Sequence, residues 1–420
     1  MNRREFIIKT VLASAATLSY SQLYAKVSKE IESRIVQKNY DVIVLGVGSM
    51  GSATCYQLAK RGYKVLGIEQ FDIPHEFGSH SGQSRIIRKA YGEASDYVPL
   101  LEKSYQNWNV LESETGYQVY YKTGLLYFAP KNHAFLQTVR KSSVQYNIPI
   151  QELTEEDCRK EYPQFKLPSN FERLVEPDAG FLTPEKSILL FVQQALLNGA
   201  TIRTREKVLE WKYQNRTLTV KTDKGIYETK KIVITAGPWA GKLIPSLAQK
   251  LKVTRQAVAW VQPKKWEDFV LGKFPCWNVL DNGYHFYGFP ILPAGQFGGP
   301  LGLKLALHTP GGDMTDPDSV DRNRRETDEQ VLIQFLNKFI PDGYKNTLEV
   351  KTCLYTNTPD ENFIVDYLPN FDKNVAIAAG FSGHGFKFVS AIGEIMADLV
   401  INGETQMPIK FLSLQRFEKG

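Results

Sequence analysis

Three glycines and one acidic residue stand at a spacing that suits nucleotide binding. Gly46, Gly48 and Gly51 form the pattern GxGxxG between an apolar run, Val42 to Leu45, and a helical pattern. Glycines permit a tight turn there, close approach of the backbone to a pyrophosphate, and close packing of helix on strand. Glu69 ends the next apolar run, where a carboxylate accepts hydrogen bonds from ribose hydroxyls. This order of elements predicts a bound dinucleotide; the alternative is a helix start with purely structural glycines.

Two basic residues far apart in the chain have strongly apolar neighbours. Arg88 follows two isoleucines, and Lys387 lies between two phenylalanines. Such neighbours favour burial, and a buried cation requires an anion. Taken singly, each residue is more often a solvated surface charge.

Three further residues have reactive side chains but no motif of their own. His308 lies four residues after Lys304, so a regular strand places both on one face, opposite Leu303 and Leu305. The pattern alone favours an outward-facing lysine and a structural histidine. Cys353 alone is typical of a buried free thiol.

The hydrophobic pattern predicts the elements that position these residues. Predicted strands cover 42–45, 65–68, 119–128, 201–204, 208–213, 217–222, 226–229, 253–262, 283–290, 301–308 and 375–379, and a buried strand enters 232–240. Predicted helices cover 52–60, 97–115, 184–198 and 389–400, and 315–341 is largely helical. Nucleotide-binding elements therefore occur at the start, middle and end of the chain, with sheet-rich segments between them.

This arrangement predicts an α/β fold (α+β overall) with two packed domains. The first is a discontinuous, Rossmann-like dinucleotide-binding domain, and the second is an inserted antiparallel-sheet domain that binds substrate. A chain of 420 residues exceeds what one core usually holds. We place the first domain at 40–95, 178–248 and 350–412, and the second at 96–177 and 249–349.

The composition is that of an ordinary globular protein and excludes some functions. The chain is 43% hydrophobic and 23% charged, with a net charge of +6. Its basic residues form no run interleaved with aromatic residues, so we expect no nucleic-acid partner. The spacing of its four cysteines matches no metal site, and we predict neither a metal nor a structural disulfide.

The N-terminus resembles an export signal. Arg3 and Arg4 precede a weakly apolar stretch, Ile7 to Tyr20, a pattern typical of the twin-arginine pathway. We predict a signal peptide over 1–25, cleaved after Ala25, a linker over 26–39, and a periplasmic location. An uncleaved leader would act as an N-terminal anchor, and the remaining alternative is a partly apolar tail.

Six segments, in this order and at these spacings, resemble the monomeric sarcosine oxidase and N-methyltryptophan oxidase family, which are flavoenzymes of the D-amino-acid-oxidase superfamily. They are GVGSMG with Glu69, then GSHSGQSRIIRKAYGE at 78–93, ITAGPWA at 234–240, GLKLALH at 302–308, KTCLYTNTPDENFIVD at 351–366 and AAGFSGHGFKF at 378–388. The resemblance runs from Tyr40 to the C-terminus and leaves the leader outside. It implies a monomer.

The resemblance implies FAD bound covalently, through a thioether from Cys353 to the flavin 8α-methyl. A glycine-rich turn, 380–385, leads into a helix whose N-terminus would face the flavin and stabilise its reduced form. The residues implied in cofactor binding are Gly46, Gly48, Ser49, Met50, Gly51, Glu69, Ser79, Val208, Gly237, Cys353, Gly380, Gly383, Gly385 and Lys387.

The resemblance also implies roles in catalysis. Arg88 and Lys387 match the pair that holds the substrate carboxylate, and Lys304 matches the lysine that promotes reaction with oxygen. His308 and Tyr355 match residues on the substrate side, and Arg85 lies beside the flavin ring. These last three, with Lys304, are the implied catalytic residues.

Three departures from the family concern the substrate. His80 is followed by Ser81, where the prototypes have two adjacent histidines. Phe286 stands in place of a prototype tyrosine, which predicts a more apolar pocket wall, and the segment 292–300 is longer. Substrate identity is therefore the least determined property.

The expected reaction is oxidative demethylation of an N-methyl amino acid of the sarcosine or N-methyltryptophan type. Oxidation of the N-methyl carbon gives an iminium that hydrolyses to formaldehyde and the primary amino acid, and oxygen is reduced to hydrogen peroxide. One alternative is a flavin dehydrogenase, or an oxidase of another secondary amine such as pipecolate or a glycated amino acid. A non-enzymatic alternative is a flavin-binding sensor. We expect no stable membrane partner.

Overall fold

The computed structural model of the protein describes residues 36–309 and 312–417. The predicted signal peptide, and the linker as far as residue 35, lie outside these residues. Within them, no helix is long and apolar enough to cross a membrane.

Strands and helices are interspersed along the described residues. In chain order, the strands are β1 (Val36–Leu45), β2 (Val65–Ile68), β3 (Arg85–Ile87), β4 (Tyr120–Lys122), β5 (Leu125–Pro130), β6 (Gln151–Glu152), β7 (Phe171–Glu176), β8 (Gly180–Leu182), β9 (Thr201–Arg203), β10 (Val208–Gln214), β11 (Thr217–Thr222), β12 (Ile226–Ile234), β13 (Lys252–Gln262), β14 (Cys276–Asp281), β15 (Tyr284–Phe289), β16 (Leu303–His308), β17 (Asn346–Asn357), β18 (Ile364–Tyr367) and β19 (Val375–Ala379). The α-helices are α1 (Ser49–Lys60), α2 (Val98–Thr115), α3 (Ala134–Tyr146), α4 (Glu155–Glu161), α5 (Pro184–Leu197), α6 (Ala240–Leu243), α7 (Ala294–Phe297), α8 (Glu326–Phe339) and α9 (Val389–Asn402).

The first sheet gathers strands from the start, middle and end of the chain. Its order is β10-β11-β12-β1-β2-β9, and β19 adds to β12 and carries β18. The five strands β9, β2, β1, β12 and β19 are mutually parallel. Val42 to Leu45 are fully buried, as a parallel strand covered on both faces requires. The predicted discontinuous α/β architecture is confirmed.

Alternating side chains of β1 sort into two cores on opposite faces of this sheet. Val42 and Val44 join the core under α1, α2, α5 and α9, whereas Ile43 and Leu45 join the core on the other face. Helices α1 and α9 approach closely at Gly393, where a Cβ would lie 2.5 Å from the Cβ of Ala53. This contact fixes the helix that begins with the nucleotide turn.

The second sheet is mainly antiparallel and has the order β17-β13-β16-β15-β14-β5-β7-β6. One face packs on α8 through a large aromatic core that includes Trp277 and Phe335. The opposite face carries a small cluster around Trp260, Ala306 and Cys353. The strand period of two therefore separates a structural face from the face that bears the predicted chemistry.

Three segments differ from their predicted structure. The predicted strand 119–128 is split into β4 and β5, which belong to different sheets, because Gly124 between them has a φ of +72°. The helix in 315–341 begins only at Glu326, and β12 joins two predicted strands. The predicted domain limits remain a prediction, although the limit at 350 falls inside β17.

Candidate active site

One cavity brings the predicted nucleotide and substrate residues together. It runs from the carboxyl ends of the parallel strands to the face of the second sheet that carries Cys353. The predicted residues that line it are Gly46, Gly48, Ser49, Met50, Glu69, Ser79, Arg85, Arg88, Val208, Gly237, His308, Cys353, Tyr355, Gly380, Gly383, Gly385 and Lys387. Gly51 and Lys304 are the two predicted residues that lie behind its wall.

The three glycines of the first turn have different physical tasks. Gly46 has a φ of +92°, and a Cβ there would lie 2.7 Å from the carbonyl oxygen of Thr235. A Cβ on Gly51 would lie 1.8 Å from the carbonyl oxygen of Gly46, so this glycine closes the turn. A Cβ on Gly48 would meet nothing nearer than His80 Nδ1 at 3.9 Å and would project into the cavity. The open position at Gly48 fits a pyrophosphate.

The acid at the end of β2 is buried and oriented by the backbone. Glu69 is 5% exposed and accepts hydrogen bonds from the N–H groups of Val47 at 2.9 Å and Phe71 at 3.1 Å. Burial raises the pKa of Glu69 to about 7. The nearby His75 ring is neutral, because burial lowers its pKa to about 3. The carboxylate keeps acceptor capacity toward the cavity, which suits ribose hydroxyls.

His80 supports a bound ligand independently of the motif. It is 3% exposed and lines the cavity, and its Nε2 has no hydrogen-bond partner among the described residues. A buried polar atom without a partner is costly unless a ligand supplies one.

Cys353 presents a buried thiol to the cavity from the middle of β17. Burial raises the pKa of this thiol, and the cations of Arg85, Lys304 and Arg322 oppose that rise. A thiolate is the nucleophilic form of cysteine, and neighbouring cations favour it. The other three cysteines are also buried and unpaired.

A wall of two cations lies at the substrate end of the cavity. The guanidinium carbon of Arg88 lies 4.4 Å from the centroid of the Tyr91 ring, and Lys387 Nζ lies 5.3 Å from the same centroid. Arg88 Nη2 donates to both carboxylate oxygens of Glu93 at 2.6 Å. Lys387 Nζ donates to the carbonyl oxygen of His384 at 2.7 Å.

Elements far apart in sequence position these two cations. Arg88 directly follows β3, and the buried carboxylate of Glu176 accepts from the N–H of Lys89 at 2.6 Å, which fixes the chain there. Lys387 lies in the tight turn that begins α9, where its carbonyl accepts from Trp108 Nε1 at 3.1 Å. The predicted burial of both cations is confirmed, at 3% and 6% exposure.

The wall contains two cations and one anion, and its charges are strongly coupled. Burial lowers the pKa of Lys387 to about 7, and the charge of Arg88 contributes to this. Burial opposes ionisation of Glu93, whose side chain is 25% exposed, but Arg88 and Lys387 hold its pKa far below the usual range. Below a pH of about 7, where Lys387 is charged, these three groups therefore carry one net positive charge.

Lys304 is buried, which overturns the interpretation of an outward-facing surface lysine. It is 2% exposed, and its Nζ donates to the carbonyl oxygens of Gly82 and Ser84 and to Ser84 Oγ. The Phe289 ring centroid lies 4.3 Å from Nζ. Burial, and then the charge of Arg85, lower the pKa of Lys304. The ammonium lies one layer behind the cavity wall, with its three donors engaged.

His308 and Arg85 flank the middle of the cavity. His308 Nδ1 lies 3.2 Å from the hydroxyl of Tyr355, and burial lowers the pKa of His308 to about 4. Its imidazole is therefore neutral. Arg85 Nη2 donates to the carbonyl oxygens of Ser79 at 3.0 Å and Ser81 at 2.6 Å, which orders the irregular segment before β3.

The prediction of an apolar wall at Phe286 was wrong. Phe286 lies on the opposite face of the sheet and stacks on Phe335, with centroids 4.2 Å apart. Because neighbours on a strand alternate, His285 and Tyr287 face the cavity instead. This part of the wall is polar.

Sequence reasoning missed several residues of the cavity wall, namely Glu93, Asn278, His285, Tyr287 and His384. Glu93 and His384 lie inside matched segments but received no role. The alternation along 284–289 contains a signal for His285 and Tyr287. One of the two alternate sets of side chains faces the cavity, and these two residues belong to the same set. Asn278 has no signal of its own, because its position depends on the pairing of β14 with β15.

The fold and the glycine turn define the class of the protein as one with a dinucleotide-binding domain beside a second, sheet-rich domain. The chain belongs to the FAD dependent oxidoreductase (DAO) family, whose model matches residues 41–399. It is therefore an FAD-dependent oxidoreductase, as the sequence predicted.

Individual relatives agree with this family. The chain is 37% identical over 386 residues to a monomeric sarcosine oxidase from Bacillus sp. (strain B-0618), covering 90% of this chain and 96% of that protein. It is 33% identical over 383 residues to an N-methyl-L-tryptophan oxidase from Yersinia pestis (strain Pestoides F), covering 90% of this chain and 100% of that protein. A solved structure of the amino acid oxidase NikD, in its Tyr258Phe form, superposes with a TM-score of 0.78 at 24% identity, covering 90% and 97% of the two chains, and shows the shared fold.

Proposed function

We propose that the protein is a monomeric oxidase of N-methyl amino acids that holds FAD covalently through Cys353. The observation that carries the proposal is the convergence of two buried cations, Arg88 and Lys387, on one tyrosine ring at the substrate end of the cavity. The relatives named as oxidases of sarcosine and of N-methyltryptophan support the same substrate class. When bound, FAD supplies a two-electron acceptor for the N-methyl C–H bond and a donor for oxygen.

The cation wall binds and orients the substrate. Arg88 offers a planar fork and Lys387 a compact charge, which together suit a carboxylate. In the structure both carboxylate oxygens of Glu93 contact Nη2 of Arg88, so a substrate carboxylate replaces Glu93 at this nitrogen or shares Arg88 with it. Fixing the carboxylate fixes the amine two bonds away, which is the positional advantage that the reaction needs.

The same wall selects the reactive form of the amine. Oxidation requires the lone pair of a neutral amine, whereas a free N-methyl amino acid is mainly an ammonium ion near neutral pH. The positive charges of Arg88 and Lys387 disfavour that ammonium and favour loss of its proton, and a neutral imidazole such as that of His308 carries one acceptor nitrogen. His308 is held at this position by its contact with Tyr355.

The first test is hydrogen peroxide release in air from a panel of amines. The panel contains sarcosine, N-methyltryptophan, pipecolate, a glycated amino acid and the unmethylated counterparts. Peroxide from an N-methyl amino acid, with none from its primary amine, is the expected result. No peroxide and no anaerobic bleaching of the flavin by any member would contradict the proposed substrate class.

The covalent link has a separate test. Acid-precipitated wild-type protein is expected to keep its yellow colour in the pellet, and Cys353→Ser to release it to the supernatant. The buried Cys276→Ser variant is the matched control and should behave as wild type. Release of all colour from the wild type would show that the flavin is not covalently bound.

A dehydrogenase is the second candidate, and one observation favours it. The three donors of Lys304 are all engaged by Gly82 and Ser84, so its charge acts on oxygen only from behind the wall. Stopped-flow reoxidation of the reduced enzyme by air separates the candidates, because a dehydrogenase reoxidises slowly.

We also propose export through the twin-arginine pathway, on the strength of Arg3 and Arg4. Cell fractionation should find the wild-type protein in the periplasm and the paired lysine variant, Arg3→Lys with Arg4→Lys, in the cytoplasm. Equal distribution of the two proteins would contradict the proposal.

A further inference from the structure

One part of the cavity wall lies beyond His308 and takes no part in the proposed chemistry. His285 on β15 is paired with His308 on β16, and their ring centroids are 5.5 Å apart. Asn278 on β14 comes next, with its Oδ1 3.1 Å from His285 Nε2. Both His285 and Asn278 line the cavity, and Asn278 is 3% exposed.

The hydrogen bond between these residues fixes what each presents to the cavity. An amide oxygen only accepts, so His285 Nε2 carries the proton and donates it to Asn278 Oδ1. Burial keeps the imidazole neutral, which leaves His285 Nδ1 as an acceptor. Asn278 Nδ2 is a donor, and neither this atom nor His285 Nδ1 has a hydrogen-bond partner among the described residues. The pair therefore offers one donor and one acceptor.

This pair adjoins the wall that is proposed to hold the carboxylate. The His285 ring lies 5.2 Å from the Phe135 ring, and the Arg88 guanidinium lies 5.3 Å from the same ring. In an amino acid, the side chain leaves from the carbon that carries the carboxylate. Because Arg88, His285 and Asn278 line the same cavity, we expect a substrate anchored on Arg88 to extend its side chain toward His285 and Asn278.

We infer that Asn278 and His285 form a side-chain subsite for a neutral group with both a donor and an acceptor, namely a carboxamide or a hydroxyl. The preferred substrate is then an N-methyl amino acid with such a side chain. Sarcosine has no side chain, and an indole offers only a donor. This inference rests on the proposed function and adds the substrate side chain to it.

The test compares substrates of nearly equal shape. The kcat/KM for peroxide release is measured on N-methylasparagine against N-methylleucine, and on N-methylthreonine against N-methylvaline. A site built to hydrogen-bond a substrate rejects the analogue that leaves its polar groups unpaired, and we expect about a 10- to 100-fold preference for the polar member of at least one pair. Equal values within both pairs would overturn the subsite.

Two variants and one control assign the preference to these residues. Asn278→Leu removes the donor at similar volume, and His285→Phe removes the acceptor while keeping a flat ring. Each should bring the ratio of the two kcat/KM values close to one. Tyr284→Phe, on the same strand but 50% exposed outside the cavity, should keep the wild-type ratio. An unchanged ratio in both Asn278→Leu and His285→Phe would overturn the assignment.

Failure of the inference differs from failure of the proposed function. Peroxide from N-methyl amino acids without preference within the pairs removes the subsite and keeps the oxidase. No peroxide and no anaerobic bleaching by any N-methyl amino acid removes both. The wild-type comparison needs no variant to fold.

Discussion

The two ends of the cavity are built in different ways. At the nucleotide end the main chain makes the site, through the turn from Gly46 to Gly51 and the N–H groups that orient Glu69. At the substrate end side chains make the site, and they come from two sheets and the start of α9. A site made by the main chain requires a contiguous sequence with the right residues at fixed spacing. A site made by side chains requires instead that distant strands pair in the right register.

The two ends also differ in charge. The substrate end contains several side chains whose pKa is displaced by burial, among them Lys387, His308 and His285. At the nucleotide end burial also lowers the pKa of His75 and His80, but the group that titrates near neutrality is an acid, Glu69, rather than a cation. Changes at the nucleotide end should therefore act on cofactor content, and changes at the substrate end on affinity, rate and pH dependence.

Among changes at the nucleotide end, Gly51→Ala is expected to reduce flavin binding most. Its Cβ would lie 1.8 Å from the Gly46 carbonyl oxygen, so the turn has to open and the pyrophosphate position is lost. We expect nearly complete loss of bound flavin, measured as the ratio of flavin to protein absorbance. Gly295→Ala is the control, because its Cβ meets nothing within 4 Å. Normal flavin content in Gly51→Ala would remove the distinction between the two ends.

At the substrate end the largest effect is expected from Arg88→Met. The variant loses the guanidinium charge and leaves Glu93 without the Nη2 donor that contacts both of its oxygens. Loss of a buried charged contact to a ligand costs about 2–5 kcal/mol, so we expect kcat/KM to fall about 30- to 5,000-fold with flavin content unchanged. Arg61→Met breaks a surface pair with Asp398 and should change kcat/KM by less than about twofold. A small effect at Arg88 would show that the carboxylate binds elsewhere.

Lys304→Met tests whether the buried charge behind the cavity wall promotes reaction with oxygen. A fixed charge near developing superoxide is expected to contribute on the scale of one electrostatic donor, about 100-fold or more in rate. Stopped-flow measurements should show slower reoxidation by oxygen, while anaerobic reduction by substrate changes less. Unchanged reoxidation would refute the assigned oxygen role and favour the dehydrogenase.

The smallest expected effect is the pH dependence of anion binding. Lys387 has a lowered pKa of about 7, so it is charged below that pH and neutral above it. Propionate, a carboxylate without an amine, should bind best below pH 7 and lose about tenfold in affinity as the pH rises through this value. Flavin absorbance titrations between pH 6 and 9 measure it, and Lys387→Met should give a flat profile. The same slope in that variant would assign the titration to another group.

Sequence reasoning succeeded where structure is local. The strands Val65–Ile68, Thr217–Thr222 and Val375–Ala379 have the predicted bounds, because each is a continuous apolar or alternating run. The nucleotide turn was predicted with its acid, since all its parts lie within one contiguous unit. Arg88 and Lys387 could be predicted as a pair because each has apolar neighbours and lies in a matched segment. The structure places both beside the Tyr91 ring.

The failures have a common physical origin in pairing. Nothing in the segment 284–289 says which alternate set faces the cavity, and the wrong set was chosen at Phe286. The partner of Arg88 is Glu93, five residues on in an irregular loop without periodicity. The strand pattern alone also made Lys304 look like a surface residue, and only the matched segment opposed this, because its acceptors, Gly82 and Ser84, lie more than 200 residues earlier in the chain.

The ion pair between Arg88 and Glu93 makes the binding wall carry its own competitor. Chloride or phosphate has to displace a tethered carboxylate and gains no other contact, so common cellular anions are poor occupants. An amino acid brings an amine and a side chain as further attachments, so it competes with the internal carboxylate better than a simple anion does. The affinity of a ligand for the site thereby depends on the number of contacts it makes as well as on its charge.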